Sequence, residues 1–144
     1  AKKYSQGHFA VGSTKRLPYL DHYFDGMLRI FAPADPGEIS RVLKPSGFLL
    51  TVTPGPRHLW TLKGLIYPNV REHRIEPDLP ANFKIICQTR LQDTIYPAPA
   101  HRLALLQMTP FAWKADANTL SRLQNDEVMA IEVDFCVTLA VSSK

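Results

Sequence analysis

A strand–helix–strand pattern in the first third of the chain most strongly limits the fold it can adopt. Residues 23–32 and 48–53 are mostly apolar without a polar face, which is typical of strands buried on both sides of a parallel sheet. Between them, Asp35 precedes a segment with proline and glutamate in its first turn and apolar residues at helical spacing. Such a βαβ unit is right-handed and binds ligands beyond the carboxyl ends of its strands. The pattern predicts an α/β fold with ligand-binding segments at 29–34 and 54–60.

The remaining segments predict two more strands, several short helices and a long loop. Residues 83–96 and 128–141 have strand character, and alternate apolar residues from Ile131 to Val137 indicate a half-buried antiparallel strand. Residues 68–80 are polar and interrupted by proline, which predicts a surface loop. A strand end is expected at 8–11, and helices are expected at 58–66, 100–107 and 118–123. The expected sheet therefore has parallel strands plus an antiparallel C-terminal strand.

Composition excludes several classes of protein. With 144 residues, 45% of them hydrophobic and 21% charged, the chain can bury a core, so disorder is excluded as the default. The longest apolar runs are only a few residues long, and no apolar segment follows Lys2 and Lys3, so we expect no membrane span, no signal peptide and a cytoplasmic location. Cys87 and Cys136 are far apart, which predicts two buried thiols and neither a zinc site nor a disulfide framework.

Positive charge is concentrated in the first half of the chain. The formal net charge is +4, and residues 1–74 hold 11 Lys and Arg against 5 Asp and Glu. A basic surface binds RNA because neutralising phosphates releases counterions. The alternative is a basic surface that contacts only solvent, and charge by itself does not decide between the two.

Several ordered motifs carry a family resemblance. The turn L-K-P-S-G at 43–47 looks like the turn before strand five of class I S-adenosylmethionine-dependent methyltransferases. Five further motifs are S-T-K-R-L-P-Y at 13–19, L-R-I-F-A-P at 28–33, T-P-G-P-R-H-L at 53–59, L-K-G-L-I-Y at 62–67 and L-L-Q-M-T-P-F-A-W at 105–113. Together they resemble the large-subunit ribosomal RNA guanine-N1 methyltransferases over essentially the whole chain. The resemblance implies that residues 1–144 are the C-terminal part of a Rossmann-like methyltransferase domain.

Other parts of the family's protein have no counterpart in this sequence. Members begin with a four-cysteine zinc domain, followed by a glycine-rich cofactor loop and an acidic residue for the ribose, whereas this chain contains no G-x-G. We therefore expect a fragment with weak or absent activity by itself and with the family's zinc outside it. Removal of the first strands would also expose the edge of the strand at 26–32, so we expect self-association through that edge.

The resemblance implies methyl transfer from S-adenosylmethionine to guanine N1 and suggests residues that bind the cofactor. His58 follows a strand end and is expected to contact the cofactor; the alternative is a histidine bonded to backbone. Arg29 stands in an apolar strand, where a charge is costly unless paired, and is expected to hold the cofactor carboxylate or guanine O6. The alternative for Arg29 is a structural pair with Asp25 or Asp35.

Two further cofactor contacts are expected near the adenine ring. Ser13 and Thr14 would supply them, with simple turn chemistry as the alternative. The residue that accepts the guanine N1 proton is not identified by the sequence.

RNA contacts are expected from basic residues and from aromatic residues. A guanine must leave its stack before N1 is reachable, and stacking on an aromatic ring would offset part of that cost. The candidates for stacking are Trp60, Tyr67, Phe111 and Trp113, with core packing as the alternative for each. The residues expected to contact RNA phosphates are Arg57, Lys63, Arg71 and Arg74. Two other functions stay open: a class I methyltransferase of small molecules, and a non-catalytic module that binds RNA or pairs with itself.

Overall fold

The computed structural model describes residues 6–125 and 128–143. Its elements follow the order β1 (Phe24–Ile30), α1 (Pro36–Val42), β2 (Leu43–Pro54), α2 (Trp60–Gly64), β3 (Phe83–Ile95), α3 (Pro99–Gln107), a 3-10 turn (Ala112–Lys114), α4 (Ala117–Asn125) and β4 (Ile131–Ser142). The strands form one sheet in the order β1-β2-β4-β3. No helix within the described ranges has the length and apolar character needed to cross a membrane.

The predicted βαβ unit is confirmed. Strands β1 and β2 are parallel, with Gly26 opposite Phe48 and Arg29 opposite Thr51. Asp35 caps α1, since its Oδ1 accepts the Glu38 N–H at 3.1 Å. Strand β2 follows α1 without an intervening loop, so the proline–serine–glycine turn lies inside the strand bounds, where the pairing register shifts.

Strand β4 is antiparallel to β3, which confirms the mixed sheet. Asn82 pairs with Ser142 and Gln88 with Thr138, so residue numbers rise along β3 as they fall along β4. The sequence placed Val133, Phe135 and Val137 on the buried face of β4, and this prediction is wrong because all three are half-buried. The buried face of β4 is instead formed by every second residue from Asp134 to Ala140. As an interior strand, β4 has a neighbour on each side. Its buried polar side chains, Asp134, Thr138 and Ser142, all have hydrogen-bond partners.

The chain divides into two compact units. The described part of the first unit comprises residues 6–52, 76–89 and 137–143, and that of the second comprises 53–75, 90–125 and 128–136. The core of the first unit is built from Ile39, Leu43 and Leu49, with Phe24, Met27, Ala34, Leu79 and Phe83 packed against it. The core of the second unit consists of Leu59, Leu62, Leu106, Phe111, Leu123, Met129 and Ile131.

Strand β1 is not buried on both faces as expected. It lies at one edge of the sheet, and Leu28 and Ile30 are 60% and 55% exposed. An apolar strand sequence indicates that both faces of the strand can be buried. It does not show whether other elements of the chain pack against those faces.

Three local predictions also need correction. Residues 8–11 form no strand. Cys136 is buried as expected, whereas Cys87 is exposed because β3 is the other edge strand of the sheet. Helix α2 begins at Trp60 rather than His58, since Leu59 adopts a left-handed φ of 56° that precedes the first helical turn.

Candidate functional site

The loop that follows β2 in the second unit is bonded to Asp134 of β4. Gly55 N–H donates to the Asp134 carbonyl at 2.8 Å, and Arg57 N–H donates to Asp134 Oδ2 at 2.9 Å. In return, Asp134 N–H donates to His58 Nδ1 at 3.2 Å. The path of this loop is therefore set by a strand far away in sequence.

Asp134 is the buried charge at the centre of this arrangement. Its carboxylate is 1% exposed and accepts two hydrogen bonds from Arg90, one from Nε at 2.9 Å and one from Nη2 at 2.7 Å. The Arg90 guanidinium, aided by the Arg57 N–H, holds the pKa of Asp134 below its ordinary value. Sequence reasoning missed this residue, although an acidic side chain inside an apolar strand was the available signal.

Gly55 is required at its position by the closeness of Asp134. A methyl group added at Gly55 would overlap the Asp134 carboxylate. The T-P-G-P-R-H motif therefore owes its glycine to a packing constraint in the second unit.

Three nitrogen bases lie close together beside this loop. The buried Lys63 contacts His73 Nε2 through its Nζ, and His73 N–H donates to the Pro56 carbonyl at 3.2 Å. Burial lowers the pKa of Lys63 and of His73. Burial, helped by the nearby charges of Lys63 and His73, also lowers the pKa of His58. Lys63 therefore releases its proton at lower pH than an exposed lysine does, and both imidazoles favour the neutral form.

The start of α2 is held by a second acidic residue of β4. Glu132 Oε2 accepts two hydrogen bonds from Thr61, one from its backbone N–H at 2.9 Å and one from its hydroxyl at 2.7 Å. The first of these bonds gives a partner to an N–H of the first helical turn, which has none within the helix. Arg57 lies 4.8 Å from the centroid of the Trp60 ring and 4.0 Å from Glu132. The backbone of Arg57 is therefore fixed, while half of its side chain stays exposed.

Arg29 lies in the first unit and is engaged by its own chain. Its Nη2 donates to the Asp78 carbonyl at 2.9 Å, and Nε and Nη2 both lie 3.3 Å from the Thr51 hydroxyl. The expected alternative of a pair with Asp25 or Asp35 is wrong. Asp25 pairs with Lys44, and Asp35 caps α1.

Ser13 and Thr14 form an exposed turn in the first unit. Ser13 Oγ accepts the Lys15 N–H at 3.2 Å, and the Ser13 carbonyl accepts the Arg16 N–H at 3.0 Å. These contacts have the form of the turn chemistry that was the alternative reading of this pair.

The basic residues expected to contact RNA do not share one environment. Arg71 and Arg74 are exposed, and Arg57 is half-exposed. Lys63 is only 8% exposed, so its ammonium is not presented at the surface as the sequence suggested. Trp113 is exposed, and its Nε1–H donates to the Pro110 carbonyl at 3.1 Å.

The residues expected to hold S-adenosylmethionine belong to different units. His58 belongs to the second unit, whereas Arg29, Ser13 and Thr14 belong to the first. Two cavities of about 430 and 670 Å³ in the first unit are lined by other residues. Nε and Nη2 of Arg29 and Nδ1 of His58 already bond to the chain.

Comparison with curated proteins decides the family resemblance. A protein of Streptomyces fradiae named 23S rRNA (guanine(748)-N(1))-methyltransferase is 34% identical over 131 residues, which are 87% of this chain and 46% of that protein. The resemblance to the 23S ribosomal RNA guanine-N1 methyltransferases is confirmed.

Two further relatives carry 23S ribosomal RNA guanine-N1 methyltransferase as a provisional name. One, from Micromonospora griseorubida, is 32% identical and matches 88% of this chain and 43% of its own length. The other, from Bacillus subtilis strain 168, is 28% identical and matches 98% and 52%. The chain thus spans about half the length of the guanine-N1 methyltransferases it matches.

More distant comparisons add no further assignment. No protein-family model matches the chain. A provisionally named methyltransferase of Bacillus halodurans C-125 has a TM-score of 0.48 at 14% identity and matches 92% of this chain and 70% of its own. The YcgJ protein of Bacillus subtilis has a TM-score of 0.45 at 17% identity, also over 92% and 70%. The MccD protein has a TM-score of 0.48 at 13% identity, over 91% and 65%.

Proposed function

We propose that this chain is part of an enzyme that methylates N1 of a guanine in large-subunit ribosomal RNA in the cytoplasm. The 34% identity to the Streptomyces fradiae relative is the observation that carries the proposal. S-adenosylmethionine would supply the electrophilic methyl group, and the protein would position the guanine and accept its N1 proton.

The activity is tested by restoring the part of the relative that this chain does not match. A chimera of that part of the Streptomyces fradiae protein with this chain is expected to label large-subunit ribosomal RNA from S-adenosylmethionine carrying a labelled methyl group. The unaltered relative is the positive control. Label found only in small molecules, or no label from a folded chimera that binds the cofactor, would contradict the proposal.

By itself the chain lacks a complete cofactor pocket and is inactive. One observation supports this: the sequence has no G-x-G loop. Calorimetric titration of the chain with S-adenosylmethionine, and separately with its demethylated product, is expected to give no heat. Micromolar binding would show that the pocket is built from the residues present, and the fragment proposal would then be wrong.

Exposed arginines of the second unit contribute to binding the RNA backbone. Arg71 and Arg74 fit this role better than Lys63, because their side chains are exposed. We expect the slope of log affinity against log salt to become shallower when both are changed to glutamine. The change in slope should correspond to the loss of about one to two phosphate contacts. Lys84→Gln in the first unit is the matched control, and an equal effect of that change would contradict the assignment.

A second copy of the chain is proposed to pair with β1. The exposed Leu28 and Ile30 stand on an edge strand, and an edge pairs symmetrically with its own copy when the strands run antiparallel. Light scattering of the chain is expected to show a dimer, and Leu28→Lys is expected to shift it to monomer. A monomer at high concentration in the unaltered chain would exclude this pairing.

A further inference from the structure

The second unit presents an exposed tryptophan and a half-buried tyrosine beside one ammonium. Trp113 is 79% exposed. Lys114 Nζ lies 4.9 Å from the centroid of the Tyr67 ring and 5.2 Å from that of Trp113, within the range of a cation–π contact. We refer to Trp113, Lys114 and Tyr67 as the aromatic platform.

The aromatic platform is fixed to the core of its unit. Tyr67 packs edge-on against the buried Phe111, with ring centroids 5.9 Å apart. The Lys114 N–H donates to the Phe111 carbonyl at 3.0 Å, which anchors the 3-10 turn. The indole N–H of Trp113 bonds to Pro110. The rings are therefore held in place before any ligand binds, and the ordering entropy of binding is reduced.

An exposed tryptophan held in this way has chemistry suited to a planar, anionic ligand. Because the indole N–H is already bonded within the chain, an approaching group meets the apolar faces of the ring. Asp116, the nearest acidic residue along the chain, is engaged at the start of α4, where its carboxylate accepts the Thr119 N–H at 2.7 Å. The exposed Lys114 ammonium therefore sets the charge beside the ring.

We infer that the aromatic platform is a subsite for single-stranded RNA, in which Trp113 stacks on one base and Lys114 contacts a neighbouring phosphate. Unpaired bases stack on aromatic side chains, and a cation beside the ring matches the adjoining phosphate. The inference rests on the proposed function, since it names where the RNA substrate would bind. It adds Lys114 to the residues suggested by the sequence, and it commits to an unpaired strand.

The test uses Trp113 as its own reporter. The chain has two tryptophans, and Trp60→Phe leaves Trp113 as the only one while keeping an aromatic ring beneath Arg57. Titration with a ten-nucleotide single-stranded RNA is expected to quench Trp113 fluorescence, whereas polyphosphate, which carries charge without bases, is expected to leave it unchanged. If polyphosphate quenched Trp113 fluorescence as RNA does, the quenching would not require a base, and the stacking role would be excluded.

Substitutions separate stacking from charge. Trp113→Ala is expected to weaken RNA binding by about 5- to 100-fold, and Trp113→Phe to restore most of it, since a base stacks on either ring. Lys114→Gln is expected to reduce the salt slope by about one phosphate contact, whereas Lys84→Gln in the first unit leaves it unchanged. Circular dichroism of each variant checks that the fold is retained.

The outcomes distinguish this inference from the proposed function. RNA binding that is unchanged in a folded Trp113→Ala variant overturns the subsite and leaves the methyltransferase proposal standing. A different result would assign this surface to contact with a second copy of the chain. In that case RNA would not change Trp113 fluorescence, and the Trp113 emission would shift to the blue as protein concentration rises. If the chimera methylates RNA and its Trp113→Ala variant does so with unchanged KM, the subsite is likewise excluded.

Discussion

Asp134 and Arg90 form a two-point ion pair in which Nε and Nη2 of the arginine bond to different oxygens of the buried carboxylate, at 2.9 and 2.7 Å. The same carboxylate accepts the backbone N–H of Arg57. Strands β3 and β4 and the loop after β2 are therefore joined through one side chain. A negative charge at this depth is tolerated because each oxygen has a hydrogen-bond donor.

Asp134→Asn is expected to destabilise the chain by about 1.5–3 kcal/mol, because the amide loses the charge-assisted bonds and cannot accept at both terminal atoms. The free energy of unfolding in urea measures the effect. Asp25→Asn is the matched control, since Asp25 is exposed and its partner Lys44 is also solvated. Equal losses in the two variants would contradict a central role for Asp134.

Gly55→Ala is expected to destabilise the chain by about 1–3 kcal/mol, since the added methyl group overlaps the Asp134 carboxylate and the loop must move. Gly64→Ala in α2 adds the same group where no atom lies within 4 Å. That control is expected to leave stability unchanged or to raise it, because alanine favours the helix. Thermal unfolding of both variants decides the point, and a neutral Gly55→Ala would refute the close packing.

Stability is expected to fall as pH drops from 7.5 to 6.0. Burial lowers the pKa of His58 and His73 below the ordinary value of 6.5, so the unfolded chain binds more protons than the folded chain in this range. The two imidazoles contribute their full stabilisation at pH values above their pKa in the unfolded chain. This contribution decreases as the pH falls below that pKa. Urea unfolding at the two pH values measures the change, and His73→Gln is expected to reduce it. A free energy of unfolding that does not fall at pH 6.0 would exclude this linkage.

Arg29→Met is expected to destabilise the first unit by about 1–3 kcal/mol, because the Thr51 hydroxyl and Asp78 carbonyl lose their donor. Thr51→Val keeps the bond to Asp78 and is expected to cost less. Hydrogen exchange of residues 76–82 is the local measurement, with faster exchange expected in Arg29→Met. Unchanged exchange and stability would free Arg29 for the cofactor role that its sequence position suggested.

Much of the secondary structure was predictable because it depends on neighbours in the chain. The cap at Asp35, the end of β2 at its proline-rich segment and the start of α3 at Pro99 follow from backbone restrictions within a few residues. Burial was harder to predict. β1 and β4 are both apolar strands, yet one is an edge and the other is interior, and that difference depends on which strands lie beside them.

The candidate site was predictable as a segment but not as a set of contacts. Parallel strand order identified the loop at 54–60, and family motifs identified His58 within it. Asp134 and Arg90 were not identified, because they lie 76 and 32 residues from His58 in the sequence. Lys63 was assigned to the surface from its charge, although helix α2 directs it to His73.

The sequence by itself determined the α/β class, the βαβ unit and the family resemblance, because local backbone preferences and ordered motifs are written along the chain. Only the tertiary structure decided which charged side chains are buried and which groups they form hydrogen bonds with. The pairing of Asp134 with Arg90 and of Lys63 with His73 depends on how strands and loops pack. The physical reason is that desolvation and hydrogen bonding act between neighbours in space, and sequence distance carries little information about them.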